Sequence, residues 1–350
     1  MSLRGHSLAE LETFFVERSE PRYRAAQVFA RIHRLGARSA AEMTELPAML
    51  RADLDEESAF RGLGVEHRAV DESGTEKFIL QVPGEGAARR IEAVWIAAEP
   101  RDEGAQDGRR TVCISCQAGC TLDCTFCATG TLPFQGNLSA AEIVDQVYLL
   151  EVLRNQRASN VVFMGMGEPF HNYEAVLAAA HLLHHPDGAG LSARRITIST
   201  AGVVTGIERF TDDGQPFNLA ISLNHPDPHE RVGIMPHDHR YPLEDLLGAA
   251  RRYTRESGRR VTFEYVMISG VNMEPRHAGQ LIEITRSMRS KVNLIPLNTD
   301  VAGMRQPSAQ EAVRFQTRLV DAGVHAFNRG SPGREVGGAC GMLALDRTLS

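Results

Sequence analysis

The sequence predicts an α/β fold, namely a partial (β/α)6-type barrel that follows a small N-terminal helical domain and a short β extension. Three patterns support this. Apolar residues recur at helical spacing up to about residue 60, hydrophobic alternation runs from about 65 to 98, and strand-like and helix-like segments then alternate to the end of the chain. We therefore expect three units: a helical domain over 1–62, a β-rich connector over 63–100 and a barrel over 105–345.

The N-terminal domain is predicted from helical periodicity. In "SLAELETFFVER", residues Leu8, Leu11, Phe14 and Phe15 share one face, and "RYRAAQVFARIHRLG" repeats the pattern up to Gly36. "TELPAMLRADLDEE" predicts a third short helix. The connector contains "TEKFILQV" and "RIEAVWIAA", which alternate as antiparallel strands do. The polar segment "EPRDEGAQDGR" (99–109) is a candidate linker to the barrel.

The barrel is predicted from repeated strand–helix units. Helical segments such as "SAAEIVDQVYLLEVL", "EDLLGAARRYTRE" and "RHAGQLIEITRSM" separate the candidate strands, which favours parallel βαβ connections. Chemistry in barrels of this kind lies at the C-terminal ends of the strands. The seven candidate strands are "RRTVCIS", "NVVFMGM", "RRITIST", "NLAISL", "RVTFEYVMI", "KVNLIPL" and "VHAFNR".

Composition narrows the class of protein. The 350 residues carry a formal net charge of −6, which argues against a generally basic nucleic-acid-binding surface. The most apolar stretches have the length of strands, and the N-terminus lacks the apolar core of a secretory signal. We therefore expect a cytoplasmic protein without membrane contact. Clustered cysteines in that compartment more often bind metal or act in catalysis than form disulfides.

Four of the six cysteines lie within "CQAGCTLDCTFCATG" (116–130). Cys120, Cys124 and Cys127 form CxxxCxxC in the loop after the first barrel strand, and cysteine thiolates are the ligands of iron–sulfur clusters. Three such ligands would leave the fourth iron of a cubane cluster open for chemistry. The alternatives are a zinc site, for which no second ligand pair is found, and plain core cysteines. Cys116 could be a fourth ligand, and we favour a bystander or auxiliary thiol.

With Phe126 before its last cysteine, this motif resembles the signature of radical S-adenosylmethionine (SAM) enzymes. "CISCQAGCTLDCTFCATG", "MGMGEP", "ITISTAG", "AISL", "NLIPLN" and "GACG" together resemble the RlmN/Cfr family of radical SAM RNA adenine methyltransferases, over about 90–345. The resemblance implies a radical SAM barrel with a [4Fe-4S] cluster on Cys120, Cys124 and Cys127. It also implies that SAM binds the open iron and is cleaved there to a 5′-deoxyadenosyl radical.

The resemblance implies a set of SAM-binding residues at the strand ends. Gly167 would let the backbone approach SAM, and Glu168 would accept a hydrogen bond from its ammonium group. Asn224 departs from the family, which usually has His at this position. Taken singly, each polar residue of the set is what any strand end carries, so the prediction of a SAM site depends on the whole set. The implied set is Phe126, Gly167, Glu168, Ser199, Ser222, Leu223, Asn224 and Asn298.

Three residues are implied to be catalytic. Cys340 lies in the Gly-rich tail "GSPGREVGGACGML", which suits a mobile catalytic loop. In the family its counterpart is methylated by one SAM, and the radical from a second SAM removes a hydrogen atom from that methyl group. The carbon radical so formed adds to an adenine and leaves a protein–RNA crosslink. Cys113 would help to resolve the crosslink and finish in a transient disulfide with Cys340. Glu92 would be a proton acceptor. Buried structural cysteines and an exposed strand residue are the alternatives.

The implied substrate is an adenine in ribosomal RNA, and also in tRNA, drawn out of its stack into the barrel mouth. The N-terminal helices would dock the RNA. We expect an electron donor such as flavodoxin or ferredoxin, and a monomer. The favoured product is C2-methyladenine.

Two other functions remain open from the sequence. One is C8 methylation of the same nucleotide, and the other is a non-catalytic iron–sulfur or zinc RNA-binding module. Pro332 and Met342 also depart from the family tail, which leaves the substrate RNA and the adenine carbon open. A conventional SAM methyltransferase is disfavoured, because no glycine-rich loop follows an early strand.

Overall fold

The protein is described by a computed structural model that covers residues 2–56, 60, 62–84, 88–97, 108–299 and 303–345. None of the helices within these ranges is long and apolar enough to cross a lipid bilayer. The helices are α1 Leu8–Glu17, α2 Tyr23–His33, α3 Ala48–Glu56, α4 Ala140–Arg154, α5 Tyr173–His184, α6 Val204–Asp212, α7 Pro228–Ile234, α8 Leu243–Ser257, α9 Pro275–Arg286 and α10 Ala309–Asp321.

The strands form one large sheet and one small one. Those of the small sheet are β5 Gln117–Ala118 and β6 Gly136–Asn137. Those of the large sheet are β1 Gly64–Val70, β2 Glu76–Val82, β3 Arg89–Ile96, β4 Thr111–Cys113, β7 Asn160–Phe163, β8 Ile196–Thr200, β9 Asn218–Ser222, β10 Val261–Met267, β11 Ser290–Pro296 and β12 Ala326–Asn328.

The order of the large sheet confirms the predicted α/β fold. It runs β1-β2-β3-β4-β7-β8-β9-β10-β11-β12, with parallel pairing from β4 to β12 and antiparallel pairing from β1 to β4. The β extension therefore continues the barrel sheet directly, through β3 and β4. The candidate linker at 99–109 lies almost entirely outside the described residues.

Several helices begin where the sequence supplies a capping box. The side chains of Ser7, Ser139 and Ser308 each accept a hydrogen bond from the backbone amide of the residue three positions later. That residue is a Glu in each case, and its carboxylate accepts a hydrogen bond from the backbone amide of the serine. Each box satisfies amide groups that the helix itself leaves unpaired, which fixes the start of α1, α4 and α10.

The parallel strands have two different faces. Alternate residues of β10, such as Phe263 and Tyr265, pack into the main apolar core. The other face carries Glu264 and Val266, and register places Ser222 of β9 and Asn293 of β11 beside Glu264. The inner face is therefore partly polar, and it leads towards the C-terminal strand ends.

The N-terminal helices share the main apolar core with the barrel. Arg4 forms a buried ion pair with Asp145 of α4, with 3.0 Å between Nη1 and Oδ1. His33 of α2 lies 2.8 Å from the hydroxyl oxygen of Tyr148. These contacts join the two regions firmly, and the boundaries predicted for the three domains (1–62, 63–100 and 105–345) remain a proposal.

Candidate active site

The cysteine loop follows β4 at the C-terminal edge of the sheet. Its backbone is fixed by the barrel, since the amide groups of Cys116 and Gln117 donate to the carbonyl oxygen of Met166, over 2.9 and 3.2 Å. Farther along, the amide of Thr125 donates to the carbonyl oxygen of Ile234, over 3.0 Å. The loop is therefore held to the strand end after β7 and to the end of α7.

The thiols of Cys120, Cys124 and Cys127 are neighbours in this loop that influence one another's ionisation, and each is partly exposed. Burial raises the pKa of Cys120 to about 12, and the neighbouring Cys127 raises it further. Burial, followed by Cys127 and Cys120, raises the pKa of Cys124 well above its usual range. If these neighbouring thiols ionised they would repel one another, and a soft cation bound between them would remove the repulsion. The donor set therefore fits an iron–sulfur cluster.

Cys116 has different surroundings. It is buried in the main apolar core, and its thiol lies 3.7 Å from the carbonyl oxygen of Met166, to which it donates. Burial raises the pKa of this thiol well above its usual range. These contacts suit a core thiol better than a cluster ligand.

Gly167 and Glu168 lie in the turn that follows β7, four and five residues after Phe163. Gly167 has φ +100°, and a Cβ added there would lie 2.5 Å from the Cβ of Gln117, so the position requires glycine. The carboxylate of Glu168 accepts the amide hydrogens of Phe170 and Ala201, over 3.0 and 2.8 Å. Burial raises the pKa of Glu168 to about 7, although these bonds oppose the shift. The carboxylate is thus fixed in direction beside the cysteine loop.

Strands β8 and β9 bring Ser199 and Ser222 to the inner face of the barrel. Leu223 is completely buried in the main core. Asn224 adopts the left-handed conformation, with φ +56°, and is also buried. Its Oδ1 accepts the amide hydrogen of Val266 over 3.0 Å, so its side chain is already used inside the protein. Contact of this side chain with SAM remains a prediction that these bonds do not favour.

Asn298 and Phe126 link the site to other segments. The Nδ2 of Asn298 donates to the carbonyl oxygen of Cys340 over 3.2 Å. Its Oδ1 is buried, and no group in the described part of the chain donates to it. Phe126 packs in a small apolar cluster that includes Met235 and Val266 and borders Cys124 and Cys127. A buried acceptor without a donor, at the end of β11, fits a ligand that supplies a hydrogen-bond donor.

The C-terminal tail brings Cys340 to the cysteine loop. The amide of Ala128 donates to the carbonyl oxygen of Gly341 over 2.8 Å. Cys340 is reached by solvent, yet the surrounding protein raises the pKa of its thiol to about 12 by desolvation, with smaller contributions from Glu264 and Cys113. Cys113, at the end of β4, has a free thiol whose pKa burial raises to about 12. The transient disulfide between them remains a prediction.

Glu92 lies on β3 and is fully buried. Its Oε1 is 2.8 Å from the Nζ of Lys77 and accepts the amide hydrogen of Leu345 over 3.0 Å. Register pairs Val94 with Cys113, and strand alternation puts Glu92 on the same face as Val94. The structure therefore brings Glu92 against the tail that carries Cys340.

Two residues at the site were not identified from the sequence. Arg231 is fully buried and donates to the carbonyl oxygens of Leu223, Ser222 and Ala201, which fixes the ends of β8 and β9. Glu264 accepts from the Nδ2 of Asn293 over 2.8 Å, and its Oε2 has no donor within the described ranges. Neither residue stands in a motif, because both act through contacts between distant segments.

His225, Glu230 and His277 form a separate cluster, whose candidate ligand atoms lie within 4.8 Å of one another. Backbone amides of Asp227 and Glu274 donate to the Nδ1 atoms of His225 and His277, over 3.1 and 3.2 Å. The hydrogens then belong on the two Nε2 atoms, and both lie 3.1 Å from Oε2 of Glu230. We interpret the cluster as a hydrogen-bonded support and not as a metal site.

Comparison with known proteins identifies two regions of the chain. The Radical SAM superfamily matches residues 114–281, and the ribosomal RNA large subunit methyltransferase N-terminal domain matches residues 1–59. A radical SAM methyltransferase from Sphaerobacter thermophilus is 38% identical, with a TM-score of 0.91 over 99% of this chain and 100% of that one.

The curated relatives cover nearly the full chain. A probable dual-specificity RNA methyltransferase RlmN from Leptospira interrogans is 46% identical over 342 residues, covering 98% of this chain and 95% of the relative. The RlmN of Syntrophobacter fumaroxidans is 39% identical, covering 98% of each protein. With the predicted fold confirmed and both regions matched, the chain belongs to the RlmN family of radical SAM RNA methyltransferases.

Proposed function

We propose that this protein methylates C2 of an adenine in RNA, by way of a methyl group carried on Cys340. The observation that supports this most strongly is the attachment of the Cys340 tail to the cysteine loop, through Ala128 and Gly341. An RNA-binding module would have no use for a thiol held against its metal loop. The matched N-terminal domain of ribosomal RNA large subunit methyltransferases favours ribosomal RNA as one substrate, and the relatives named dual-specificity are consistent with a second, for which we propose tRNA.

The thiolates of Cys120, Cys124 and Cys127 would hold a [4Fe-4S] cluster, and Cys116 would take no part. When bound, the cluster and SAM would supply the methyl group and the one-electron chemistry that an unreactive aromatic carbon requires. The task of the protein is then to place its own groups around them and to exclude water.

The SAM pocket would be formed at the strand ends. The backbone of Gly167, packed against Gln117, would line the pocket, and the fixed carboxylate of Glu168 would accept a hydrogen bond from the ammonium group of SAM. The buried Oδ1 of Asn298 would accept another hydrogen bond, which supplies the donor that it lacks. The other contributors would be Phe126, Ser199, Ser222, Leu223 and the backbone of Asn224.

Cys340 and Cys113 would divide the covalent chemistry. Cys340 would carry the methyl group and attach the tail to the adenine, and Cys113 would release the RNA and end in a disulfide with Cys340 that a reductant reopens. Glu92 is our candidate proton acceptor, because it lies against the tail on the same face of the sheet as Cys113. We further propose a flavodoxin or ferredoxin as electron donor, docking of RNA on the N-terminal helices, a monomeric state and a cytoplasmic location.

The test is an anaerobic reaction of the reconstituted protein with SAM, dithionite and RNA that lacks C2- and C8-methyladenosine. Nucleosides are separated by mass spectrometry against both standards. Cys340→Ala is run beside the native protein at matched iron content, because this variant removes the carrier and leaves the proposed cluster ligands in place.

We expect C2-methyladenosine with the native protein and none with Cys340→Ala. A C8 product would correct the adenine carbon and leave the carrier mechanism standing. Cleavage of SAM without a methylated nucleoside would overturn the proposed RNA substrate. A protein that binds iron and never cleaves SAM would overturn the enzymatic function.

A further inference from the structure

The segment around Cys340 is held by a short series of main-chain carbonyl oxygens. The carbonyl of Cys340 accepts from Nδ2 of Asn298 over 3.2 Å, and that of Gly341 accepts from the amide of Ala128 over 2.8 Å. The carbonyl of Leu343 accepts from the hydroxyl of Thr129 over 2.6 Å. Three anchors thus lie within four residues of the tail.

The three anchors differ in what they require of the sequence. The bond from Ala128 uses a backbone amide, which every residue except proline can supply. The other two need a specific side chain, the hydroxyl of Thr129 and the amide of Asn298. Thr129 is only 4% exposed, so loss of its hydroxyl would leave the carbonyl of Leu343 without that donor in a buried place.

The same two segments are also joined to each other. The hydroxyl of Thr299, the residue after Asn298, donates to the carbonyl oxygen of Phe126 over 2.9 Å. The cysteine loop, the end of β11 and the tail therefore form one hydrogen-bonded network. Thr129 lies two residues after Cys127, so the network begins beside a candidate cluster ligand.

We propose that Thr129 is a positioning residue, which together with Asn298 fixes the tail so that the thiol of Cys340 faces the barrel mouth. The proposal deepens the proposed function, since it takes the role of Cys340 from there. The hydroxyl of Thr129 holds the C-terminal side of Cys340 against the cysteine loop, and the amide of Asn298 holds Cys340 itself against β11. A tail fixed at both points presents its thiol in one place.

The first test measures hydrogen exchange of the tail in the full-length reconstituted protein, with mass spectrometry of peptides that cover 338–345. Thr129→Val keeps the shape of the side chain and removes the hydroxyl. We expect tail amides to exchange about tenfold faster in this variant, because a net buried hydrogen bond shifts an opening equilibrium by that order. Thr129→Ser restores the hydroxyl and should return exchange to the native rate.

Thr211→Val is the matched control. Its hydroxyl donates to the carbonyl oxygen of Ile207 over 2.8 Å within α6, so it removes a similar bond far from the tail along the chain. Native exchange of the tail in Thr129→Val would overturn the proposal. Equal acceleration in Thr211→Val would overturn it as well, because the effect would then be general.

The second test measures how tightly the cleavage of SAM is coupled to the methylation of adenine. In Thr129→Val we expect the number of SAM molecules cleaved per methyladenosine formed to rise about tenfold, as a misplaced thiol loses productive turnovers. An unchanged ratio would contradict the proposal. If the native protein forms no methyladenosine, the proposed function fails, and hydrogen exchange still decides the role of Thr129.

Discussion

The amide of Ala128 and the carbonyl oxygen of Gly341 form a hydrogen bond of 2.8 Å, and each residue directly follows a functional candidate, Cys127 and Cys340. The proposed metal loop and the proposed methyl carrier are thus joined through their immediate neighbours. The bond fixes the two backbone segments relative to each other at this point.

Replacing Cys120, Cys124 or Cys127 by alanine should remove most of the bound iron after anaerobic reconstitution, because two thiolates cannot complete the site. Cys116→Ala is the matched variant, and it should keep its iron, since the Cys116 thiol donates to Met166 in the core. Iron analysis and the visible absorption of the cluster measure both. Loss of iron in Cys116→Ala would assign it as a ligand.

Cys113→Ala should accumulate a covalent protein–RNA adduct under turnover conditions, because the thiol proposed to release the RNA is missing. A denaturing gel with labelled RNA detects the adduct. The double variant Cys113→Ala with Cys340→Ala should form none, since the attachment point is then absent. An adduct in the double variant would place the attachment elsewhere.

Gly167→Ala should destabilise the protein by about 1–3 kcal/mol, because alanine is strained at φ +100° and its Cβ would overlap Gln117. Gly190→Ala is the control, since Gly190 also has a positive φ, +67°, but has open space around its Cβ position. Urea unfolding gives both free energies of unfolding. A loss in Gly167→Ala no larger than that in Gly190→Ala would show that close packing at Gln117 is unimportant.

Acid should weaken the fold through His33. Burial lowers the pKa of His33 to about 3 in the folded protein, whereas the unfolded chain binds a proton near the ordinary value of 6.5. The unfolded state then binds more protons between these values, so stability falls as the pH drops below about 6.5. This group should cost about 1.4 kcal/mol between pH 7.5 and 5.5.

Urea unfolding of the native protein and of His33→Gln, at both pH values, measures the effect of His33. The His33→Gln variant should lose this part of the pH dependence. The control His229→Gln, which changes an exposed histidine, should keep the pH dependence of the native protein. The same pH dependence in His33→Gln as in the native protein would assign the effect to other groups.

The sequence was sufficient for the barrel strands, because hydrophobic alternation is a local pattern. Thiol spacing is local as well, and the metal loop that it suggests and the catalytic role of Cys340 remain predictions. Contacts between distant segments could not be read in this way. The ion pair of Glu92 with Lys77 joins two strands. Arg231 donates hydrogen bonds to carbonyl oxygens at the ends of two other strands.

Asn224 shows a further limit of sequence analysis. Its place in "AISLN" predicted a side chain directed at a ligand, whereas its left-handed backbone directs Oδ1 to the amide of Val266. A single change of φ redirects a side chain without any change in the motif. Asparagine adopts the left-handed conformation more readily than most residues, but its presence in a motif does not by itself fix the angle.

The tail runs from β12 to the β extension, where Gly333 donates to Asp71 over 2.9 Å and Leu345 donates to Glu92. The large sheet has β1 and β12 at its two edges, and the tail spans from β12 to the β extension that carries β1. Residues 329–345 of the tail belong to no strand of the large sheet, so their displacement would leave its strand pairs intact. Under the proposed function, an RNA attached to Cys340 would therefore leave with the tail while the barrel stays folded.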